Sequence, residues 1–259
     1  MMTKTLQERI QEKILILDGA MGTMIQRLSL TPADFGGEEY EGCNEYLVLT
    51  RPDVILDIHR EYLQAGADII ETDTFGAASV VLAEYGLQHL AREINMAAVK
   101  LAKAACAEYS TSDHPRYVAG SIGPTTKTLS VTGGISFDEL QAAYFEQALA
   151  LVEAGADVLL VETAQDMLNV KAATTAIQAA FAALHTKIPV MVSGTIEAMG
   201  TTLAGQNIES FYIAIEHLHP LSVGINCATG PELMKDHVRT LSELSLTGVS
   251  CYSNAGMPD

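Results

Sequence analysis

An α/β fold of the (β/α)8 TIM-barrel type, with about seven βα units in this chain, is predicted from three observations. Short apolar runs alternate with helical periods along all 259 residues, the pattern of βα units that feed a parallel sheet. The run Ala65-Gly66-Ala67-Asp68-Ile69-Ile70 recurs as Ala154-Gly155-Ala156-Asp157-Val158-Leu159, in each case a helix stopping on glycine with a buried strand directly after it. A chain of this length with 48% apolar residues can bury one large core, which suits a single barrel better than two small domains.

Taken in order, the strands are expected near 14–18, 68–74, 117–122, 157–163, 189–195, 221–227 and 247–252. The first closes on Asp18, the second on Glu71 and the run Thr72 to Phe75, and the third on Ser121-Ile122-Gly123-Pro124. In the fourth, an unbroken apolar run gives way to Glu162-Thr163-Ala164-Gln165-Asp166. The sixth delivers Cys227 to a strand end, and Gly230-Pro231 starts a helix at once. Helical periods fill the gaps, at 53–65, 88–109, 136–154, 166–185, 207–217 and 231–244, and Ser29 to Glu45 reads as a long surface excursion. A closed barrel needs eight strands, and Ser253 to Asp259 reads as a loop after the seventh. Residues 1–259 are therefore expected to form one barrel domain that is incomplete at its C-terminus, with unpaired edges on the first and seventh strands; a rearranged open barrel is the alternative.

The formal net charge of −17 argues against nucleic-acid or anionic-membrane partners and for an acidic, soluble, cytoplasmic protein. The segment Met1 to Glu12 is charged, without the apolar core of a secretory signal, and no run approaches a membrane span. Four cysteines in a chain this long do not make a disulfide framework and read as reduced thiols.

Carboxylates at the ends of separate strands converge on one face of a barrel, where Asp18, Glu71 and Glu162 could hold an amino group between negative charges. Asp18 leads into Gly19-Ala20-Met21-Gly22, a turn that lets backbone amides approach a ligand closely; it reads equally well as a helix N-cap. A cysteine at a strand end, Cys227, sits where α/β folds place their chemistry. Cys106, among alanines on a helix, reads as a small packed hydrophobe, and Cys43 as structural or exposed. Cys251 is expected to pack in the core, with a metal role as the alternative. The seven histidines make no His-x-x-x-His or Glu-x-x-His pair, and no glycine-rich phosphate loop is present. An aldolase- or phosphate-binding barrel would want a strand-end lysine, whereas Lys127 and Lys187 fall in a loop and at a helix end.

Several of these segments, in one register from about residue 8 to the end, resemble the homocysteine-binding domain of the cobalamin-dependent methionine synthases, within the homocysteine S-methyltransferase superfamily. They are Asp18 to Gln26, Cys43-Asn44-Glu45-Tyr46-Leu47 with Thr50-Arg51-Pro52-Asp53, Glu71-Thr72-Asp73-Thr74-Phe75, Gly120 to Pro124, Gly224-Ile225-Asn226-Cys227, and Tyr252-Ser253-Asn254-Ala255-Gly256. The resemblance implies zinc-dependent activation of homocysteine for S-methyl transfer giving methionine. Zinc bound by thiolates lowers the pKa of a bound thiol and holds it for attack. It makes Cys227 the catalytic position and first zinc ligand. It makes Asp18, Gly19, Ala20, Met21, Glu71, Thr74, Ser121, Glu162 and Asn254 substrate-binding, with Asp18 and Glu162 on the ammonium group. The two remaining zinc cysteines belong to a Gly-Gly-Cys-Cys segment, and this sequence has no adjacent cysteines. Methylcobalamin and methyltetrahydrofolate would act through folate-, cobalamin- and reactivation modules outside this chain. Asp57-Ile58-His59 is rejected as a cobalamin motif, because Tyr62 takes the glycine position on a helix. Two readings stand beside this one: a cobalamin-independent homocysteine S-methyltransferase using betaine or S-methylmethionine, and a truncated module that binds without catalysis.

Overall fold

A computed structural model describes residues 4–130 and 133–255, so residues 256–259 of the expected terminal loop lie outside the described residues. In chain order the elements are α1 (Leu6–Arg9), α2 (Met21–Arg27), α3 (Leu47–Thr50), α4 (Pro52–Ala65), β1 (Ile69–Glu71), α5 (Ser79–Leu82), α6 (Ala91–Tyr109), β2 (Tyr117–Ile122), α7 (Phe137–Glu153), β3 (Val158–Ala164), α8 (Met167–Leu184), β4 (Val190–Gly194), α9 (Ile208–Glu216), β5 (Ser222–Asn226), α10 (Pro231–Leu244) and β6 (Gly248–Tyr252). The strands pair in parallel in the order β1-β2-β3-β4-β5-β6, a curled half-barrel sheet.

Seven strands were expected and six form among the described residues. The segment at 14–18 makes a single parallel bridge, Leu17 to Ile69, with the amides of Asp68 and Ile69 donating to Ile16 O and that of Asp18 to Ile69 O. It has a neighbour on one side only, and Ile14 and Ile16 are 88% and 55% exposed. Across from it, no strand among the described residues pairs with the far edge of β6. The two edges face one gap of about 640 Å³, lined by Leu6, Ile16, Met191 and Val249 among others. An unpaired row of backbone groups with apolar side chains exposed along it is an open edge.

The repeated Ala-Gly-Ala-Asp segments work as stop-and-pin devices at the foot of the sheet. Gly66 and Gly155 take left-handed conformations (φ 112° and 98°), and the next amides donate back to Tyr62 O and Leu151 O, ending α4 and α7. The aspartate that follows in each case turns to the preceding segment of the sheet. Asp68 accepts from the Ile16 amide at 3.0 Å, from Lys13 Nζ at 2.5 Å and from His114 Nε2 at 2.8 Å. Asp157 accepts from the Val118 amide at 2.8 Å and from Lys103 at 2.7 Å. Both lie at strand beginnings, the end of such sheets concerned with stability.

One apolar layer, built from Leu6, Ile69, Tyr117, Ala119, Val158, Leu160 and Met191, draws on β1 to β4 with α1 packed into it. A larger one packs α7, α8, α9 and α10 against β2 to β5. No helix among the described residues is long and apolar enough to cross a membrane.

Burial pushes the Asp68 carboxyl up, but Lys13, the Ile16 amide and His114 outweigh it and hold the pKa below the usual value. Its stabilisation is therefore present above the unfolded value and lost as pH falls through the depressed folded one. Asp68→Asn should destabilise the fold by about 1.5–3 kcal/mol at neutral pH, the worth of hydrogen bonds to a charged group. In urea titrations the gap from the parent should close towards about pH 3; a gap independent of pH would overturn this account.

Candidate functional site

At the opposite end of the sheet, where the strands finish, a cavity of about 580 Å³ opens. Its lining includes five carboxylates, Asp18, Glu45, Glu71, Asp73 and Glu162, with no lysine, arginine or histidine among the described residues. Asp18 arrives at the end of the bridged first segment, Glu71 at the end of β1 and Glu162 near the end of β3, so three separate chain segments bring acids to one place.

Asp18 is tied into the fold through one oxygen only, Glu162 through both. Asp18 Oδ2 accepts from the Glu71 amide at 3.0 Å, while its Oδ1 is buried with no protein partner. Glu162 accepts from Ser121 Oγ at 2.5 Å and from the Tyr252 hydroxyl at 3.3 Å. Burial, and then the Glu162 charge, pushes Asp18 well above the usual carboxylate range. Burial does the same to Glu71, with the charges of Glu162 and Asp18 adding to it. Glu162 is raised by burial, against the pull of the Ser121, Glu71 and Tyr252 hydrogen bonds. Like charges in a desolvated pocket cannot all ionise without a compensating cation. A second acid group flanks the first: Glu45 accepts from the Gly76 amide at 2.7 Å, and Asp73, raised by burial and then by Glu45, leaves Oδ2 without a partner.

The turn after Asp18 lines the cavity from Gly19 to Thr23. Gly19 is required for packing as well as access, because a Cβ there would lie 2.9 Å from the Tyr62 ring, whose hydroxyl donates to Ala20 O. Asp18 is not a helix N-cap: the residue before α2 is Ala20, and no side chain caps it.

Cys227 follows β5 and faces the same cavity, half-buried. Its sulfur lies 3.2 Å from Asn226 Nδ2 and 3.9 Å from Thr163 Oγ1. Ser121 and Asn254 also line the cavity. Thr74, expected among the substrate-binding residues, does not. It is fully buried, its hydroxyl donates to Ser121 O at 2.7 Å, and Thr72, Asp73 and Phe75 reach the cavity instead. Cys251, expected to pack in the core, is exposed, since it lies on the open edge strand with Sγ 3.7 Å from Met234 Sδ. Cys43 and Cys106 are buried, and burial pushes both thiols up to about 12.

Sequence reading missed Asn226, Thr163, Tyr252, Asp73 and Glu45 as members of this site. Each sits within two residues of one that was singled out, but nothing in residue type separates a wall of the cavity from a buried neighbour. Among the described residues no three His, Cys, Asp or Glu side chains could together hold a metal ion, and Cys227 is the one cysteine facing the cavity. A tetrahedral zinc site closed by protein ligands needs more, so the residues described do not by themselves fit zinc.

The sequence profile of the homocysteine S-methyltransferases matches residues 15–259. The chain belongs to the homocysteine S-methyltransferase family. As a member, it is a methyltransferase. Its fold is also that of the Escherichia coli homocysteine methyltransferase MmuM. The metallated form of that enzyme is 22% identical with a TM-score of 0.80, over 97% of this chain and 87% of that one. The oxidized form is 23% identical with a TM-score of 0.80, over 98% and 87%. The apo form is 22% identical with a TM-score of 0.73, over 95% and 84%. For this homocysteine S-methyltransferase the structural matches carry the fold, and the profile carries the family.

The clustered acids have a measurable consequence in the unliganded protein. A carboxyl whose folded pKa is raised makes folding less favourable as pH climbs from the unfolded value through the folded one. Glu71→Gln should therefore raise the melting temperature more at about pH 8 than at about pH 5, by some 2–4 °C for each kcal/mol relieved. Equal shifts at both pH values, followed by circular dichroism, would overturn the assignment.

Proposed function

We propose that this methyltransferase binds homocysteine in the strand-end cavity for S-methyl transfer that yields methionine. The observation that carries this is the joint presence of Asp18, Glu71, Glu162 and Cys227 on one cavity that no cationic side chain lines. An α-amino acid supplies the missing cation. Its ammonium group would sit between Glu162 and Asp18 Oδ1, making charge-assisted hydrogen bonds. The amides of the Gly19 to Gly22 turn would receive its carboxylate. Ser121 and Tyr252 hold the Glu162 carboxylate in place from behind. With the amino acid anchored this way, its side chain extends towards Cys227.

In the transfer, a bond forms between the homocysteine sulfur and the methyl carbon, the donor–methyl bond breaks with its electron pair remaining on the donor, and the thiol proton is released to solvent. A thiol is mostly protonated at neutral pH, so fixing the sulfur in line with the methyl group is what the anchored α-amino acid end contributes. The resemblance further supports reading the chain as the homocysteine module of a cobalamin-dependent methionine synthase. Its methyl group would then come from methylcobalamin, recharged from methyltetrahydrofolate, on folate-, cobalamin- and reactivation modules outside this chain. Betaine or S-methylmethionine is the donor in the competing reading. Zinc activation belongs to the family resemblance, and the described residues do not complete a zinc site.

Glu162→Gln removes the charge and keeps the shape. It should weaken homocysteine binding by about 1.5–3 kcal/mol, roughly tenfold to a hundredfold, in calorimetric titration. Undiminished affinity would sink the assignment of Glu162. Residues 1–259, dialysed against a mild chelator, should retain well below one zinc per chain by metal analysis; tightly held stoichiometric zinc would mean that a ligand set has been overlooked.

A further inference from the structure

We infer that Asn226 is the positioning residue for the Cys227 sulfur, holding Sγ towards the cavity through its side-chain amide and clamping the ends of three strands around it. This inference rests on Cys227 being the working sulfur of the proposed site, but not on which methyl donor is used.

Asn226 is the last residue of β5 and is fully buried. Every hydrogen-bonding position of its side chain is used. Oδ1 accepts from the Thr163 amide at 3.0 Å and from Ser193 Oγ at 2.6 Å. Nδ2 donates to Thr163 Oγ1 at 2.7 Å and to Cys227 Sγ at 3.2 Å. One side chain thus joins β3, β4 and the residue after β5. The direction of the amide is settled by chemistry, because a backbone N–H can only donate and so Oδ1 must face Thr163. The NH₂ group is then left facing the sulfur. It makes Sγ an acceptor at 3.2 Å and so fixes the direction in which the sulfur is held.

The backbone gives a second, independent reason. Thr163, Cys227 and Ala228 all have left-handed conformations, with φ of 54°, 56° and 50°. For a β-branched residue such as Thr163 this is a genuine outlier, and such strain persists only where the surroundings over-determine it. Asn226 bonds both the amide and the hydroxyl of Thr163 and the sulfur of Cys227, so two of the strained residues meet on one side chain. Thr163 Oγ1, accepting from Asn226, keeps its own proton free for Glu162 Oε2 at 3.5 Å or for Sγ at 3.9 Å. Asn226 therefore links the sulfur to the carboxylate proposed to bind the ammonium group.

Asn226→Asp tests this directly. Its carboxyl can still accept from Thr163 and Ser193, but the paired N–H donors are gone. The readout is the high-pH plateau rate of alkylation of residues 1–259 by iodoacetamide, where the accessible thiols are ionised and access and orientation set the rate, followed cysteine by cysteine by peptide mass spectrometry. Exposed Cys251 serves as the internal reference, and buried Cys43 and Cys106 report loss of fold. Cys227 should react about tenfold more slowly relative to Cys251, the scale of one hydrogen bond. A folded variant with the parental ratio would overturn the inference. Should Asn226→Asp fail to fold, Ser193→Ala removes one anchor of the amide at a distance from the sulfur, and should still lower the Cys227 to Cys251 ratio. An unchanged ratio there overturns the inference as well. Failure of the parent chain to bind homocysteine would strike the proposed function and leave this ratio as it is.

Discussion

Three carboxyl groups held together out of water set the terms for the rest of the site. Asp18, Glu71 and Glu162 come from three separate chain segments, and each is pushed above the usual carboxylate range by burial, aggravated for Asp18 and Glu71 by charged neighbours. Among the described residues, no lysine, arginine or histidine lines their cavity. Such a cluster is tolerated in a folded protein because hydrogen bonds from Ser121, Tyr252 and the Glu71 amide fix the oxygens, and because protons can be taken up until a ligand arrives. Under the function proposed here, an ammonium group entering this space would gain charge-assisted bonds and remove the repulsion together, so the arrangement that burdens the fold would be the one that selects the ligand.

The two ends of the sheet divide the work. At the strand beginnings, Asp68 and Asp157 are paired with lysines and tied to backbone amides, so their charges are satisfied and their role is to hold segments together. At the strand ends, Asp18 Oδ1 and Asp73 Oδ2 are buried without partners. Identical chemical groups thus serve stability at one end and recognition at the other, separated by whether the fold supplies a counter-charge. The sulfur of Cys227 belongs to the second end, yet Asn226, Thr163 and Ser193 support it as fully as the aspartates are supported at the foot.

The gap between the Ile14 to Asp18 segment and β6 stands apart from both. There the sheet ends on an unpaired edge and apolar side chains meet water, while the carboxylates, Cys227 and Tyr252 line the neighbouring cavity. Asp18, Glu71, Ser121 and Glu162 reach the cavity from the first segment and β1 to β3, and the first segment borders the gap with one edge unpaired, as β6 does. The one sulfur that β6 carries, Cys251, is exposed.

Much was legible in the sequence, for physical reasons tied to particular residues. The period of apolar residues marked every helix of α4 and α6 to α10 to within a few residues, because burying one face of a helix or both faces of a parallel strand leaves a pattern that needs no tertiary knowledge. The glycine stops at Gly66 and Gly155 were readable because a left-handed residue has a strong chemical preference. Asp18, Glu71, Glu162 and Cys227 could be named because polar residues interrupt apolar runs at strand ends. The open edges were legible from the strand count, but the reduction of Ile14 to Asp18 to a single bridge was not: it has the composition of a strand, and a strand exists only where neighbours complete its hydrogen bonds. Nor was direction legible. Thr74 carries the same residue type as Thr72 and turns away from the cavity, and Cys251 turns to solvent. The roles of Asn226 and Thr163 depend on contacts between β3, β4 and β5 that are separated by tens of residues in the chain. The sequence by itself determined which groups arrive at the strand ends; only the tertiary structure decided which of them face one another, because that depends on register, side-chain direction and the partners that neighbouring strands supply.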